Sequence, residues 1–143
     1  MIEKKDIRKM LIRAEKARKS VLQPYFAQIG LPLGQGHVRI MDCLIAADNV
    51  TQKELADRCH VDVTTMSRSL DRLEESGFLE RRRDPGNRRS FLICLTEAGQ
   101  KEAQEVQRIM AGFDERLCAG FTAEEMEQFY RGLEKICKNL DER

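Results

Sequence analysis

A mainly α chain with one small β-hairpin is predicted by three observations. Apolar residues recur at spacings of three and four in several segments, which is the signature of helices with one buried stripe. Thr51 with Glu54, and Thr122 with Glu125, form capping boxes that mark helix starts. Two short runs opening on a phenylalanine, Phe78-Leu79-Glu80-Arg81 and Phe91-Leu92-Ile93-Cys94-Leu95, flank the turn formers Asp84-Pro85-Gly86-Asn87 as the strands of a hairpin.

The elements follow in order. Residues 4–22 form a helix with a basic outer face and an apolar stripe of Ile7, Met10, Leu11, Ala14, Ala17 and Val21. Pro24 breaks or kinks it, and Gly30-Leu31-Pro32-Leu33-Gly34 is a connector. Val38, Met41, Leu44 and Ile45 mark a second helix that ends near Asp48-Asn49. A short helix starts at Thr51, and Asp62 is a natural N-cap for the next, which is expected to bury Val63, Met66, Leu70 and Leu73. Gly77 is placed to end that helix at C′. The hairpin then carries a long tip. Thr96 caps a helix over 97–119 bearing Val106, Ile109, Met110, Phe113 and Leu117. The last helix, 123–141, bears Met126, Phe129, Tyr130, Leu133, Ile136, Cys137 and Leu140.

The 143 residues amount to one ordinary domain, long enough to bury a core. No apolar run approaches the roughly 18 residues of a membrane span, and no signal-like segment opens the chain, so a cytoplasmic protein is expected. Five cysteines, an odd and scattered set without a Cys-x-x-Cys pair, point to reduced thiols rather than a disulfide framework. Cys43 is assigned to the apolar side of the second helix as a buried, inert hydrophobe. With two histidines, no ligand spacing, no nucleophile–histidine set and no glycine-rich nucleotide loop, the chain reads as neither an enzyme nor a metal or cofactor protein.

The net charge of +1 conceals a polarised layout. Residues 1–49 hold nine basic against five acidic side chains, whereas residues 97–143 hold seven against eleven. Five arginines crowd into residues 81–89, opposed only by Asp84. Clustered guanidinium groups repel one another unless carboxylates or a polyanion neutralise them.

Two helices joined by a short turn form a helix-turn-helix, whose second helix can enter the major groove of DNA by its N-terminal end. The outward residues at that end are Thr64, Thr65 and Arg68. Arginine can pair bidentately with guanine, and threonine offers a hydroxyl and a methyl for thymine. A narrow basic loop beside such a helix can insert arginine into the electronegative minor groove. A solvated basic surface is the plainer reading of either feature alone; their combination is much more specific.

The segment Thr51–Thr96 resembles the winged helix-turn-helix of the multiple-antibiotic-resistance regulator (MarR) family. The matching marks are Thr51-Gln52-Lys53-Glu54-Leu55-Ala56, Ser67-Arg68-Ser69-Leu70-Asp71-Arg72-Leu73-Glu74, Gly77-Phe78-Leu79, Arg83-Asp84-Pro85, Arg88-Arg89 and Leu95-Thr96-Glu97-Ala98-Gly99. The flanking helices match in placement, so the resemblance spans essentially the whole chain. It implies one domain over 1–143, with a winged DNA-binding part at 34–96 flanked by dimerisation helices at 1–30 and 97–143. It further implies a homodimer that binds double-stranded DNA as a repressor on near-palindromic operators. By position, Thr64, Thr65 and Arg68 fall on base-reading sites, Arg88 and Arg89 on the wing, and Thr51, Gln52 and Ser90 on phosphate contacts. The family often has Asp where this chain has Asn87, which leaves Asp84 to orient the wing arginine alone or leaves the wing looser. Release by a small aromatic ligand is a further implication, with Tyr25, Phe26, His37, Arg39 and Met41 in the segments that line such a site. Relatives that sense oxidants through a first-helix cysteine have no counterpart here, since the earliest cysteine is Cys43. The rival reading is a winged-helix module that binds protein and has no operator of its own.

The apolar stripes of the terminal helices are more extensive than the winged part could cover, and a second copy would bury them. A two-fold dimer would set its recognition helices about one helical turn, ~34 Å, apart.

Overall fold

The computed structural model describes residues 1–28 and 36–141. Helix α1 spans Lys4–Gln28, α2 His37–Ala46, α3 Gln52–Cys59, α4 Val63–Glu75, α5 Glu97–Leu117 and α6 Ala123–Asp141. Three strands, β1 (Val50–Thr51), β2 (Leu79–Asp84) and β3 (Asn87–Leu95), form an antiparallel sheet in the order β1-β3-β2. The chain divides into two compact units, Met1–Ile109 and Met110–Arg143. The mainly helical architecture with a β-wing is the one expected.

Local chemistry sets most boundaries. Thr51 caps α3 by accepting from the Glu54 amide (3.1 Å), and Asp62 caps α4 by accepting from the Thr65 amide (2.8 Å). At Thr122 both halves of the capping box form: Thr122 Oγ1 accepts from the Glu125 amide, and Glu125 Oε1 accepts from the Thr122 amide, each at 3.1 Å. Helix α4 ends in a Schellman turn. Gly77, at φ 82°, donates to the Glu74 carbonyl and Phe78 to the Leu73 carbonyl, both at 3.0 Å.

Three expectations are corrected, and one strand is added. Pro24 does not end α1, which runs on to Gln28. A helical proline forfeits one backbone bond, and Leu22 and Phe26, fully buried on either side of it, hold the last turns in place. The hairpin tip is tight rather than long, because Asp84 faces Asn87 across Pro85-Gly86. Asp84 Oδ1 accepts from the Gly86 amide at 2.9 Å, an Asx turn that closes the tip within two residues. Strand β1 carries no period of its own at two residues; it exists through its pairing with β3, Val50 to Ile93 and Thr51 to Leu92. Val63 is 75% exposed rather than buried, since it is the first residue of α4 and lies a turn short of the helices that cover Met66, Leu70 and Leu73. The connector Gly30–Gly34 lies outside the described residues.

The core of the first unit gathers Leu22, Phe26, Ile40, Met41, Leu44, Leu55, Met66, Leu70, Leu73, Leu79 and Ile93, all essentially without solvent exposure. Each such side chain contributes about 1.5–3 kcal/mol on burial. At the corner after α2, Asp48 Oδ1 accepts from the Leu95 amide (3.0 Å), Asn49 donates its amide to the Ile93 carbonyl (3.1 Å), and the Cys94 thiol donates to Asn49 Oδ1 (2.8 Å). These bonds lock β3 to the helical layer. Among the described residues no helix is long and apolar enough to cross a membrane.

His37 is buried, with its Nε2 unpartnered, and burial followed by the nearby Arg72 charge holds its pKa below the ordinary 6.5. The folded chain therefore resists a proton that the unfolded chain accepts once pH falls under 6.5. Stability is expected to decline as pH drops from 6.5 toward the folded-state value and to level off below it. Urea midpoints at a series of pH values check this, and His37→Gln is expected to flatten that part of the profile; an unchanged profile would rule out His37 as the cause.

Candidate nucleic-acid interface

The two surfaces that could meet DNA are the N-terminal end of α4 and the tip of the β2–β3 wing. At the first, Asp62 holds the helix start with both carboxylate oxygens: Oδ1 takes the Thr65 amide and Oδ2 the Thr65 hydroxyl, each at 2.8 Å. Those bonds keep the Asp62 carboxyl below its usual pKa range, the Thr65 amide being the largest cause. Thr65 is therefore half-buried with its hydroxyl proton committed to the cap, leaving its methyl and the oxygen's lone pairs for a base. Thr64 and Arg68 are exposed. Val63 beside them exposes its isopropyl group, an apolar surface of the kind that can meet a thymine methyl. Spacing alone missed it, because the helical period assigns a face but not where the neighbouring helices stop.

The wing arginines divide into two sets. Arg81 donates from Nη1 to Glu74 and from Nη2 to Asp71, both at 2.9 Å, and its amide donates to Glu74 Oε2 at 3.2 Å. This clamp ties β2 to α4, fixing the wing's base against the recognition helix. Arg82 pairs with Glu80 on its own strand. By contrast, Arg68, Arg83, Arg88 and Arg89 make no ion pair among the described residues.

The register explains how the tip presents its charges. Arg83 pairs with Phe91, but the next residue, Asp84, pairs with Asn87, so Arg88, Arg89 and Ser90 bulge out of the ladder. A bulge frees backbone groups and re-aims side chains. Asn87 Oδ1 accepts from the Arg89 amide at 3.0 Å, while Asp84 is engaged with Gly86. The polar side chain next to Arg89 is thus Asn87, acting on the backbone, and Asp84 shapes the turn. Ser90, Thr51 and Gln52 are half-buried; Thr51 also serves as the α3 cap.

The five candidate ligand residues are dissimilar. Phe26 and Met41 are core, His37 is buried, and Tyr25 is 51% exposed. Arg39 Nη1 donates to the Cys59 carbonyl at 2.9 Å, capping the end of α3. A concavity of about 870 Å³ lies elsewhere, in the second unit, lined by Leu117, Phe121, Met126, Phe129, Tyr130 and Leu133 among others.

A helix-turn-helix followed by a hairpin wing, both carrying arginines without an ion pair among the described residues, defines the winged helix-turn-helix class. The MarR family model matches residues 33–91 of this chain. The HTH-type transcriptional regulator YwoH of Bacillus subtilis (strain 168) is 34% identical over 90 residues, 63% of this chain and 65% of the relative. YdgJ of the same organism is 26% identical over 76% of this chain and 66% of its own length. The matched segments thus span just under two thirds of these relatives. Among solved structures, the transcriptional regulator SlyA superposes with a TM-score of 0.82 at 26% identity, covering 94% of both chains. A MarR family regulator from Listeria monocytogenes, complexed with a 26mer DNA, superposes with a TM-score of 0.80 at 24% identity, covering 98% of this chain and 90% of that one.

Proposed function

We propose that this chain is a sequence-specific DNA-binding transcriptional regulator that acts as a homodimer on near-palindromic operators, as a repressor. The observation that carries the reading is the division of the arginines. Arg81 and Arg82 are neutralised by carboxylates of the chain itself, whereas Arg68, Arg83, Arg88 and Arg89, without an ion pair among the described residues, are left for an external polyanion. Thr64, Thr65 and Arg68 then read bases in the major groove, and Arg88 and Arg89 reach the minor groove. Thr51, Gln52 and Ser90 contact phosphates. That a regulator of the same fold is complexed with DNA supports the same use of these surfaces.

The dimer is supported by the apolar faces each protomer leaves open. Met10 and Ile12 on α1 are 58% and 65% exposed, and no residue of α6 is buried. Regulation fits two dimer geometries in equilibrium, only one of which spaces the reading heads for DNA. A small aromatic acid favouring the other would release the operator, and the unpartnered Nε2 of His37 is the buried polar atom such a ligand could satisfy.

Binding to duplexes selected from genomic fragments, followed across salt concentrations, tests the reading. Affinity is expected to fall steeply as salt rises, because phosphate neutralisation dominates. Arg89→Ala should lower the slope of log affinity against log salt by about 1 and weaken binding most at A·T-rich sites. Arg68→Ala should cost ~1–3 kcal/mol at one base position. No salt-dependent duplex binding at all would favour a protein-interaction module instead.

A further inference from the structure

We propose that Cys43 and Cys59 form a redox switch, a dithiol in α2 and α3 that peroxide closes to a disulfide and thereby loosens the DNA-reading head. The two sulfurs lie 3.1 Å apart although the residues are 16 positions apart in sequence. Cys43 is half-buried rather than fully buried, because it sits at the edge of the α2 face that packs on the core, while Cys59 is wholly buried at the last position of α3. The remaining thiols are arranged differently: Cys94 donates to Asn49, and Cys118 and Cys137 are exposed, with no hydrogen bond among the described residues.

The geometry assigns the roles. Cys59 donates its S–H to Cys43 Sγ from a buried position, so the Cys43 sulfur is the one of the pair that solvent reaches. Burial first, then the hydrogen bond to Cys43, pushes the Cys59 thiol up to about 12, so it keeps its proton. Cys43 is thus the sulfur that meets the oxidant. Its thiolate attacks one oxygen of hydrogen peroxide and the O–O bond breaks. With one proton taken up, the products are the Cys43 sulfenic acid and water. The Cys59 sulfur then attacks the Cys43 sulfur, the S–O bond breaks, and the hydroxyl leaves with the Cys59 proton as a second water. Two thiols are oxidised by two electrons, and one peroxide is reduced to two waters.

The bond matters to the site because Cys59 is three residues from the cap of the recognition helix. Closing it shortens the sulfur separation from 3.1 Å to about 2.0 Å. The last turn of α3 is already tied to α2 by Arg39 Nη1 on the Cys59 carbonyl, so the displacement is not absorbed there. It passes through His60, held in the left-handed region at φ 52°, to Asp62, the cap of α4. Thr64 and Thr65 sit on the first turn of that helix, so the bridge acts on the base-reading end directly.

The affinity readout rests on the proposed DNA binding, whereas formation of the bridge does not, so the two are read separately. The purified full chain is treated with hydrogen peroxide, free thiols are blocked, and the protein is mapped by mass spectrometry and titrated against its selected duplex. The expected result is a Cys43–Cys59 crosslinked peptide with a loss of two hydrogens per chain. Duplex affinity should fall by at least about fivefold, within the usual range for coupled sites, and recover with dithiothreitol. Cys43→Ala should bind like the reduced parent and ignore peroxide, and Cys59→Ala should do the same. Cys118→Ser with Cys137→Ser should leave the response intact. A missing crosslink, a crosslink with unchanged affinity, or a response that survives Cys43→Ala would each overturn the switch. A reduced protein that binds no duplex would overturn the proposed function while the mass measurement still decides the bridge.

Discussion

Gly99→Ala is expected to lower the midpoint of thermal unfolding by about 10 °C. Gly99 lies in the first turn of α5, where a Cβ would fall 1.7 Å from the Phe78 carbonyl oxygen and 2.7 Å from its carbon. Neither partner can retreat without breaking bonds. The Phe78 amide donates to the Leu73 carbonyl (3.0 Å), and its carbonyl accepts from the Thr96 amide (3.1 Å). The Thr96 hydroxyl also donates to the Gly77 carbonyl (2.5 Å) and accepts from the Gly99 amide (3.1 Å). The added methyl would have to pry α5 away from the turn that ends α4 and begins β2. Overpacking of this kind costs about 3 kcal/mol or more when backbone must move, and each kcal/mol is worth roughly 3–4 °C at this chain length. Gly112→Ala is the control. It lies in the same helix with open space around its Cβ position, and should stabilise by about 0.5–1 kcal/mol through helix propensity alone. Calorimetry on both variants checks the pair, and equal midpoints would show that α5 does not press on the Phe78 backbone. Because that junction joins the recognition helix, the wing and α5, duplex binding by Gly99→Ala should weaken even below its melting point.

What could be read from the sequence divides along a physical line. Capping boxes, the Schellman glycine and the helical stripes are local: the residues that make them are neighbours in the chain, and their chemistry does not depend on what else is nearby. Thr51, Asp62, Gly77, Thr96 and Thr122 all act where the sequence places them. Features that depend on distant partners are not legible. Strand β1 has no signal without β3, and Val63 looks like core until the neighbouring helices are seen to stop short of it. The wing arginines show the same limit at the site. Composition identifies a basic cluster, but only the fold reveals that Arg81 is held by Asp71 and Glu74 while Arg83, Arg88 and Arg89 are not held by any carboxylate among the described residues. Likewise, five scattered cysteines suggest no pairing, and the Cys43–Cys59 contact arises from how α2 packs on α3.

Phe129→Glu should convert the protein to monomers and reduce operator affinity by at least about a hundredfold, the scale on which linked binding events lose their mutual advantage. Helix α6 is amphipathic, yet none of its residues is buried within one chain. Phe129 is 58% exposed, Tyr130 66% and Leu140 77%, and the Phe129 ring meets Phe121 at a centroid distance of 6.2 Å. An apolar surface of this kind on a small chain calls for a partner, and a two-fold interface would bring the same patch of both copies together. The substituted carboxylate would then enter the interface twice, where desolvating a charge is costly. The winged part should keep its fold, since Phe129 belongs to the other compact unit, so circular dichroism should change little while sedimentation reports the smaller species. Each released reading head would still hold its half-site weakly, through Arg68 and the wing. A variant that stays dimeric and binds at full strength would mean that the α6 face serves something other than self-association.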